Sequence, residues 1–307
     1  MSRFRLHPWF LMAVGVVFIS LSAILVKLST APATVIAAWR LLIAACLMLP
    51  LWWWKHRGEI RKISRRDWGL SFLSGVFLAF HFALWFASLS YTSVASSVVL
   101  VTLQPVFSFV GAYLLFGERS RPAALASAGI AMAGGMILGW GDFASGGMAW
   151  FGDSLALAGA GMVTAYWLMG QNLRTRMSTV TYTLIVYSTA GLLLAGVTLA
   201  FGQPLFSYPS RDWWLFFLLA LFPTLLGHSL LNWVIRWIPA TTVSVAILGE
   251  PIGASLLAWI IFSEQPGVFQ WIGGLFIIIG VYGFLRYKET SEKPGTAHSQ
   301  TRQGDSL

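Results

Sequence analysis

The chain has 307 residues, of which 57% are hydrophobic and only 10% charged, with a net charge of +9. A globule of this length cannot keep so much apolar surface from water, so composition excludes a soluble protein and predicts a polytopic membrane protein. A single cysteine, Cys46, excludes an intramolecular disulfide and any multi-cysteine metal site.

Runs of about 20 mostly apolar residues, enough to cross roughly 30 Å of hydrocarbon, predict ten spans: 8–27, 33–54, 68–89, 93–116, 121–140, 152–171, 178–200, 212–234, 241–262 and 268–286. The first follows Arg3 and Arg5, and Ala31-Pro32-Ala33 imitates a cleavage site. Its apolar run nevertheless exceeds the roughly 7–15 residues of a signal-peptide core and leads directly into further spans, so it reads as a retained helix. Five spans precede a linker at 141–151 and five follow it. The tail 287–307 has too few apolar residues to join a core and reads as disordered.

With the N-terminus in the cytoplasm, seventeen of the 20 Lys and Arg fall on that side, Lys27 and Arg211 on the other, and Arg40 inside a span. This bias predicts that both termini are cytoplasmic and accounts for the positive net charge. It also argues against a nucleic-acid partner, because the basic residues lie in short loops between spans, where anionic lipid is the ordinary neighbour.

The fourth span is written again in the ninth. Residues 93–119, SVASSVVLVTLQPVFSFVGAYLLFGER, match 239–265, PATTVSVAILGEPIGASLLAWIIFSEQ, with Gln104-Pro105 on Glu250-Pro251. Each proline is followed thirteen residues later by a glutamate, Glu118 and Glu264. Because each half has an odd number of spans, the second enters the bilayer upside down relative to the first, an inverted repeat in which two halves can rock around a midplane site.

Three segments, AAWRLLIAA at 37–45, LQPVFSFVGAYLLFGER at 103–119 and LGEPIGASLLAWIIFSE at 248–264, together with the glycine-containing helix that follows, resemble the EamA-type transporters of the drug/metabolite transporter superfamily. The resemblance covers about 8–286. It implies a basket of helices around a central cavity, with the fifth and tenth packed outside, and export of small metabolites or amino acids across a bacterial cytoplasmic (inner) membrane. The fold expected is therefore an all-α membrane protein of ten transmembrane helices, as two inverted five-helix repeats, 8–140 and 152–286, around a central cavity.

Pro105 and Pro251 lack the amide hydrogen that would bond the carbonyls of Val101 and Ile247, so each helix is predicted to kink near mid-membrane. The polar spots left at Gln104 and Glu250 either line a cavity or are satisfied by neighbouring Ser and Thr. A charged carboxylate at mid-span costs roughly 2.5 kcal/mol or more, so Glu250 needs a partner or a proton. It either faces the cavity, contacting a cationic cargo group or carrying a coupling proton, or is a protonated or hydrogen-bonded carboxyl between helices.

Arg40 lies about seven residues into the second span, roughly 10 Å from the external surface. It reaches inward to a substrate carboxylate, snorkels to headgroups, or pairs with a neighbouring helix. His81 and His228 sit at nearly corresponding places, one residue out of register. His81 shares a face with Trp85, and His228 with Asn232, and each histidine is either a packing residue or a proton relay. No other histidine or carboxylate stands beside them at ligand spacing, so no metal is predicted.

Of 16 tryptophans, Trp52, Trp53, Trp54, Trp68, Trp150, Trp213, Trp214, Trp237 and Trp271 fall at or near span ends, where tryptophan anchors helices at the interface. Trp85, Trp167, Trp259, Phe82, Phe86 and Tyr166 lie inside spans, as cavity lining or as packing. Gly135 and Gly139, and likewise Gly273 and Gly280, lie on one helical face, which fits close packing within the chain or a homodimer. No G-x-x-x-x-G-K-[ST] loop occurs, which disfavours an ATP-driven pump. No constellation of reactive groups is evident, so neither catalytic residues nor cofactors are predicted. The function expected is a secondary transporter of a small molecule, working by alternating access. A channel or lipid-translocating protein shares the helices without requiring alternating access, and a membrane-embedded enzyme is the weakest reading.

Overall fold

Every secondary-structure element among the described residues is helical. The computed structural model describes residues 7–92, 94–138, 140, 148–263 and 265–289; Gly139, Glu264, the middle of the linker and the tail beyond 289 lie outside them. In order the helices are α1 (Pro8–Ile19), α2 (Leu21–Leu28), α3 (Ala33–Lys55), a 3₁₀ turn (Arg57–Lys62), α4 (Arg65–Ser88), α5 (Val94–Val101), α6 (Gln104–Phe116), α7 (Pro122–Leu138) and α8 (Ala149–Leu173). They continue as α9 (Thr179–Ala200), α10 (Ser210–Leu219), a π-helical segment (Ala220–His228), α11 (Ser229–Val234), α12 (Ala240–Ile247), α13 (Glu250–Phe262) and α14 (Val268–Glu289).

Helices stand at all ten predicted places, and eight of these are long and apolar enough to cross a membrane. The helix Pro122–Leu138 is shorter. The 25-residue α8 begins within the predicted linker and is diluted by Asp153, Gln171 and Asn172. Leu114, Leu192 and Ile260 are 65–75% exposed, the kind of apolar surface that a lipid environment accommodates. The protein is a multi-pass membrane protein.

The expected kinks are full breaks. A proline at the second helical position of α6 and of α13 needs no amide hydrogen there, so both helices restart at mid-membrane. Short i→i+3 bonds bridge the gaps, from Leu103 N–H to the Leu100 carbonyl at 3.2 Å and from Gly249 N–H to Ala246 at 3.0 Å. Both restarted helices end on a left-handed residue, Gly117 at φ 67° and Ser263 at φ 59°.

The main core is built where glycines admit neighbouring side chains: Gly75 of α4 against Thr189 of α9, Gly191 of α9 against Leu42 of α3, and Gly227 of the π segment against Ile19 of α1. α4 lies along both α8 and α9, while α1 packs on the π segment and α11. A second, smaller core joins α7 and α14 to α5 and α12 through Val99, Ala131, Val245 and Ile277. There the glycines serve packing within the chain. Gly273 meets Gly134 and Leu138, and Gly280 meets Ala131. Gly135 points elsewhere, toward Val99 at 3.7 Å, because its neighbour Gly134 occupies the contact face.

Most span-end tryptophans are exposed, including Trp53, Trp54, Trp150, Trp214, Trp237 and Trp271. Trp52 departs from that pattern, being buried with its indole Nε1 unpartnered among the described residues. Trp259 is exposed and stacks edge-on against Trp271, which removes it from any interior lining.

Candidate functional site

The two breaks bring Gln104 and Glu250, each the first residue of a restarted helix, to one buried cavity of about 20 Å³. His81 and Trp85 of α4, Trp167 of α8 and His228 of the π segment complete its polar and aromatic wall, with Ser22, Ile19, Val101, Val163 and Ile247 between them. That volume holds about one water molecule. The space these residues line is therefore too small for cargo in this conformation.

Two imidazole–indole stacks face this space. His81 lies on Trp85 at 5.8 Å between centroids, and His228 lies on Trp167 at 5.7 Å. The first stack joins residues one turn apart on a single helix; the second joins two helices. His81 donates from Nδ1 to the Gly159 carbonyl at 3.0 Å, which fixes its ring. Nδ1 of His228 has no hydrogen-bond partner among the described residues, and the same holds for Nε1 of Trp85, Nε1 of Trp167 and Oε1 of Gln104. Unpartnered buried polar atoms are costly. Their concentration around one small cavity is the site's most distinctive property.

Arg40 neither snorkels nor ion-pairs through a hydrogen bond. Its side chain is fully buried, with Nε donating to Thr224 Oγ1 at 3.0 Å and Nη1 to Ser22 Oγ at 2.9 Å, while Nη2 has no partner among the described residues. The guanidinium lies over the Phe82 ring, 4.3 Å from its centroid, in cation–π contact. Glu250 is within Coulomb range of it. Arg40 thus stands one layer behind the lining, reaching it through Ser22. Thr224 is available because the chain widens there: the segment around Pro223 is π-helical, and Thr224 Oγ1 donates back to the Leu219 carbonyl at 2.8 Å.

Tyr166 and Asn232 sit beside the cavity rather than in its wall. Asn232 Nδ2 donates to the Tyr166 hydroxyl and, at 2.8 Å, to the His228 carbonyl, so the expected His228–Asn232 pair is made through backbone. Behind them the Tyr182 hydroxyl donates to the Tyr166 backbone carbonyl at 3.4 Å and shares a hydrogen bond with Ser74 Oγ at 2.6 Å. Sequence reasoning selected neither Ser22 nor Thr224 nor singled out Trp167. A serine or threonine in an apolar run carries no distinguishing signal, and Trp167 was one interior tryptophan among several.

Both ends of the site are closed by polar contacts between the halves of the chain. At one end Asp67 accepts from Arg176 at 2.7 Å, and Glu59 accepts from Ser178 Oγ at 2.7 Å and Thr181 Oγ1 at 2.6 Å. At the other, Asp212 accepts from Ser29 Oγ at 2.7 Å, from Thr30 N–H at 2.9 Å and from Thr30 Oγ1 at 2.6 Å, and Thr34 Oγ1 donates to Gln203 at 3.1 Å.

The model of the EamA-like transporter family matches this chain twice, over residues 8–140 and 150–286. An uncharacterized transporter of Archaeoglobus fulgidus is 26% identical over 80% of this chain and 86% of its own length. A protein of Bacillus subtilis, uncharacterized transporter YyaM, is 24% identical over 85% and 88%. A riboflavin transporter of Rhizobium johnstonii is 28% identical over 68% and 67%. One solved crystal structure superposes with a TM-score of 0.76 over 93% of this chain and 99% of its own, at 19% identity, and so shares the fold.

Proposed function

The chain belongs to the EamA-like transporter family, a membrane transporter rather than an enzyme, and on that premise we propose that it exports small metabolites or amino acids by alternating access. The observation that carries this reading is the meeting of Gln104 and Glu250, from matched proline breaks, at one closed cavity. Two family matches of five predicted spans each support an inverted repeat of ten transmembrane helices, with the site at the junction of the copies. The enclosed volume fits an occluded carrier better than a channel, which needs a continuous path.

Loop contacts support the proposed orientation. The basic 57–67 segment touches 176–181, while 29–34 touches 203–212, so each pair of loops shares a face, and the excess of Lys and Arg on the first face is why we place it, with both termini, in the cytoplasm of a bacterial inner membrane. Glu250, the carboxyl group in the wall, is the candidate for contacting a cationic group or carrying a coupling proton. Arg40, His81, His228 and Gln104 complete the proposed polar set.

The test is a flux screen in proteoliposomes with amino acids, amines, organic cations and, because one relative is named a riboflavin transporter, riboflavin. Saturable flux with counterflow supports the carrier, and flux proportional to concentration supports a channel. Flux that ignores a pH gradient, in the native chain and in Glu250→Gln alike, rules out proton coupling.

A further inference from the structure

The two end contacts are the same device built twice. Asp67 stands in the first turn of α4, within Ser64-Arg-Arg-Asp-Trp68, and Asp212 stands in the first turn of α10, within Ser210-Arg-Asp-Trp213. Asp67 holds Arg176 in the turn between α8 and α9; Asp212 holds Ser29 and Thr30 in the turn between α2 and α3. Each aspartate therefore grips the turn after the first span of the opposite family match. A second contact repeats the exchange. Glu59, between α3 and α4, holds the start of α9, whereas Gln203, between α9 and α10, holds the start of α3.

The clasps lie far apart. α3 begins beside Gln203 and ends beside the Glu59 turn, and its 23 residues measure about 34 Å at roughly 1.5 Å per residue. The cavity lies between them. Neither clasp touches its wall, so their hydrogen bonds serve something other than cargo contact. Both grip across the halves, and both are made in a conformation whose centre is shut.

We propose that Asp67 and Asp212 are the positioning residues of two opposed gates, each closing its own face of the membrane by fastening the other half's first turn. The proposal rests on the carrier reading above. It requires that one clasp opens while the other stays made, and it makes the gates chemically unequal. The Asp67–Arg176 pair is ionic, with the Arg176 side chain 44% exposed, so salt weakens it. Asp212 is 1% exposed and is held by neutral donors, so salt leaves it nearly unchanged.

The test uses Cys46→Ser with Val101→Cys as a reporter in the cavity wall, and a membrane-impermeant maleimide applied separately to each face of oriented vesicles. Arg176→Gln leaves Asp67 capped by Ser64, and Ser29→Ala with Thr30→Val leaves Asp212 in place, so both variants attack the gripped turn only. Arg176→Gln is expected to raise labelling about tenfold from the face bearing the 57–67 turn and not from the other; Ser29→Ala/Thr30→Val is expected to do the reverse. High salt should mimic the first variant alone. Equal labelling from both faces, or none from either in protein of normal abundance, overturns the gates. Arg176→Lys, which keeps the charge, should restore slow labelling, and failure to restore it counts against the ion pair. Labelling needs no cargo, so asymmetric labelling without counterflow in the native chain would keep the gates and reject the carrier, while counterflow with symmetric labelling would do the opposite.

Discussion

The broken helices α5–α6 and α12–α13 share a backbone and differ in chemistry. Each is interrupted before a proline, restarts with a polar residue at the cavity, and ends twelve residues after the proline on a left-handed residue. The first half spells these positions Gln104 and Gly117; the second spells them Glu250 and Ser263. In the second half the acid lies within reach of the Arg40 field, while the first half offers Gln104 Oε1 without a partner. A repeated backbone thus makes a site of the junction, and the unequal side chains give it direction.

The sharpest way to break that inequality is Gln104→Glu. A second carboxyl in the same wall, with Arg40 already committed, should cost about 2.5 kcal/mol or more of insertion and folding energy. Monodisperse yield in detergent should fall accordingly, and the swap Gln104→Glu/Glu250→Gln should recover part of it. Next comes the helix pair that follows the two breaks. Gly273→Leu should destabilise by about 1–3 kcal/mol, because even a Cβ there meets Gly134 and Leu138, while Gly135→Ala should stay within about 0.5 kcal/mol. Thermal midpoints separate the two.

Glu250→Gln makes the second break resemble the first. It should lower flux about tenfold, some 1.4 kcal/mol, without lowering the thermal midpoint. Ser263→Gly completes the resemblance at the helix end and should stabilise by roughly 0.5–1 kcal/mol, since a left-handed serine costs more than glycine's added chain entropy. A smaller effect separates Glu59 from its neutral counterpart Gln203. Burial pushes the Glu59 carboxyl up, but hydrogen bonds from Thr181, His56 and Ser178 outweigh it and hold the carboxyl below its ordinary value. Such a group stabilises the fold above its unfolded pKa, and that contribution is lost as pH falls through the folded value. The thermal midpoint should therefore drop on acidification below about pH 4.3, and Glu59→Gln should flatten the drop.

The helices and both breaks were legible in the sequence because apolar runs and prolines act locally. Glu250, Gln104, His81, Trp85 and His228 were legible as lining for a related reason: an ionisable or aromatic residue inside an apolar span stands out whatever surrounds it. Arg40 was visible, but its partners were not. Ser22 lies 18 residues away and Thr224 lies 184 away, and neither carries a local mark. Tyr166 and Asn232 stand behind the lining of this cavity, a distinction hidden from sequence because spacing along a helix gives a face and not a depth. The small size of the cavity and the clasps at its ends depend on how the halves close, which no local pattern records.

The wide turns of Ala220–His228 do more than supply Thr224. Fourteen residues run from Asp67 to His81, but sixteen run from Asp212 to His228. On plain α-helices two surplus residues would swing the second imidazole about 200° away from the first one's bearing. Nine π-helical residues make about two turns, each taking up roughly one residue more than an α-turn. The surplus is absorbed as girth rather than as rotation, and both imidazoles come to rest aimed at the same small space from halves of unequal spelling.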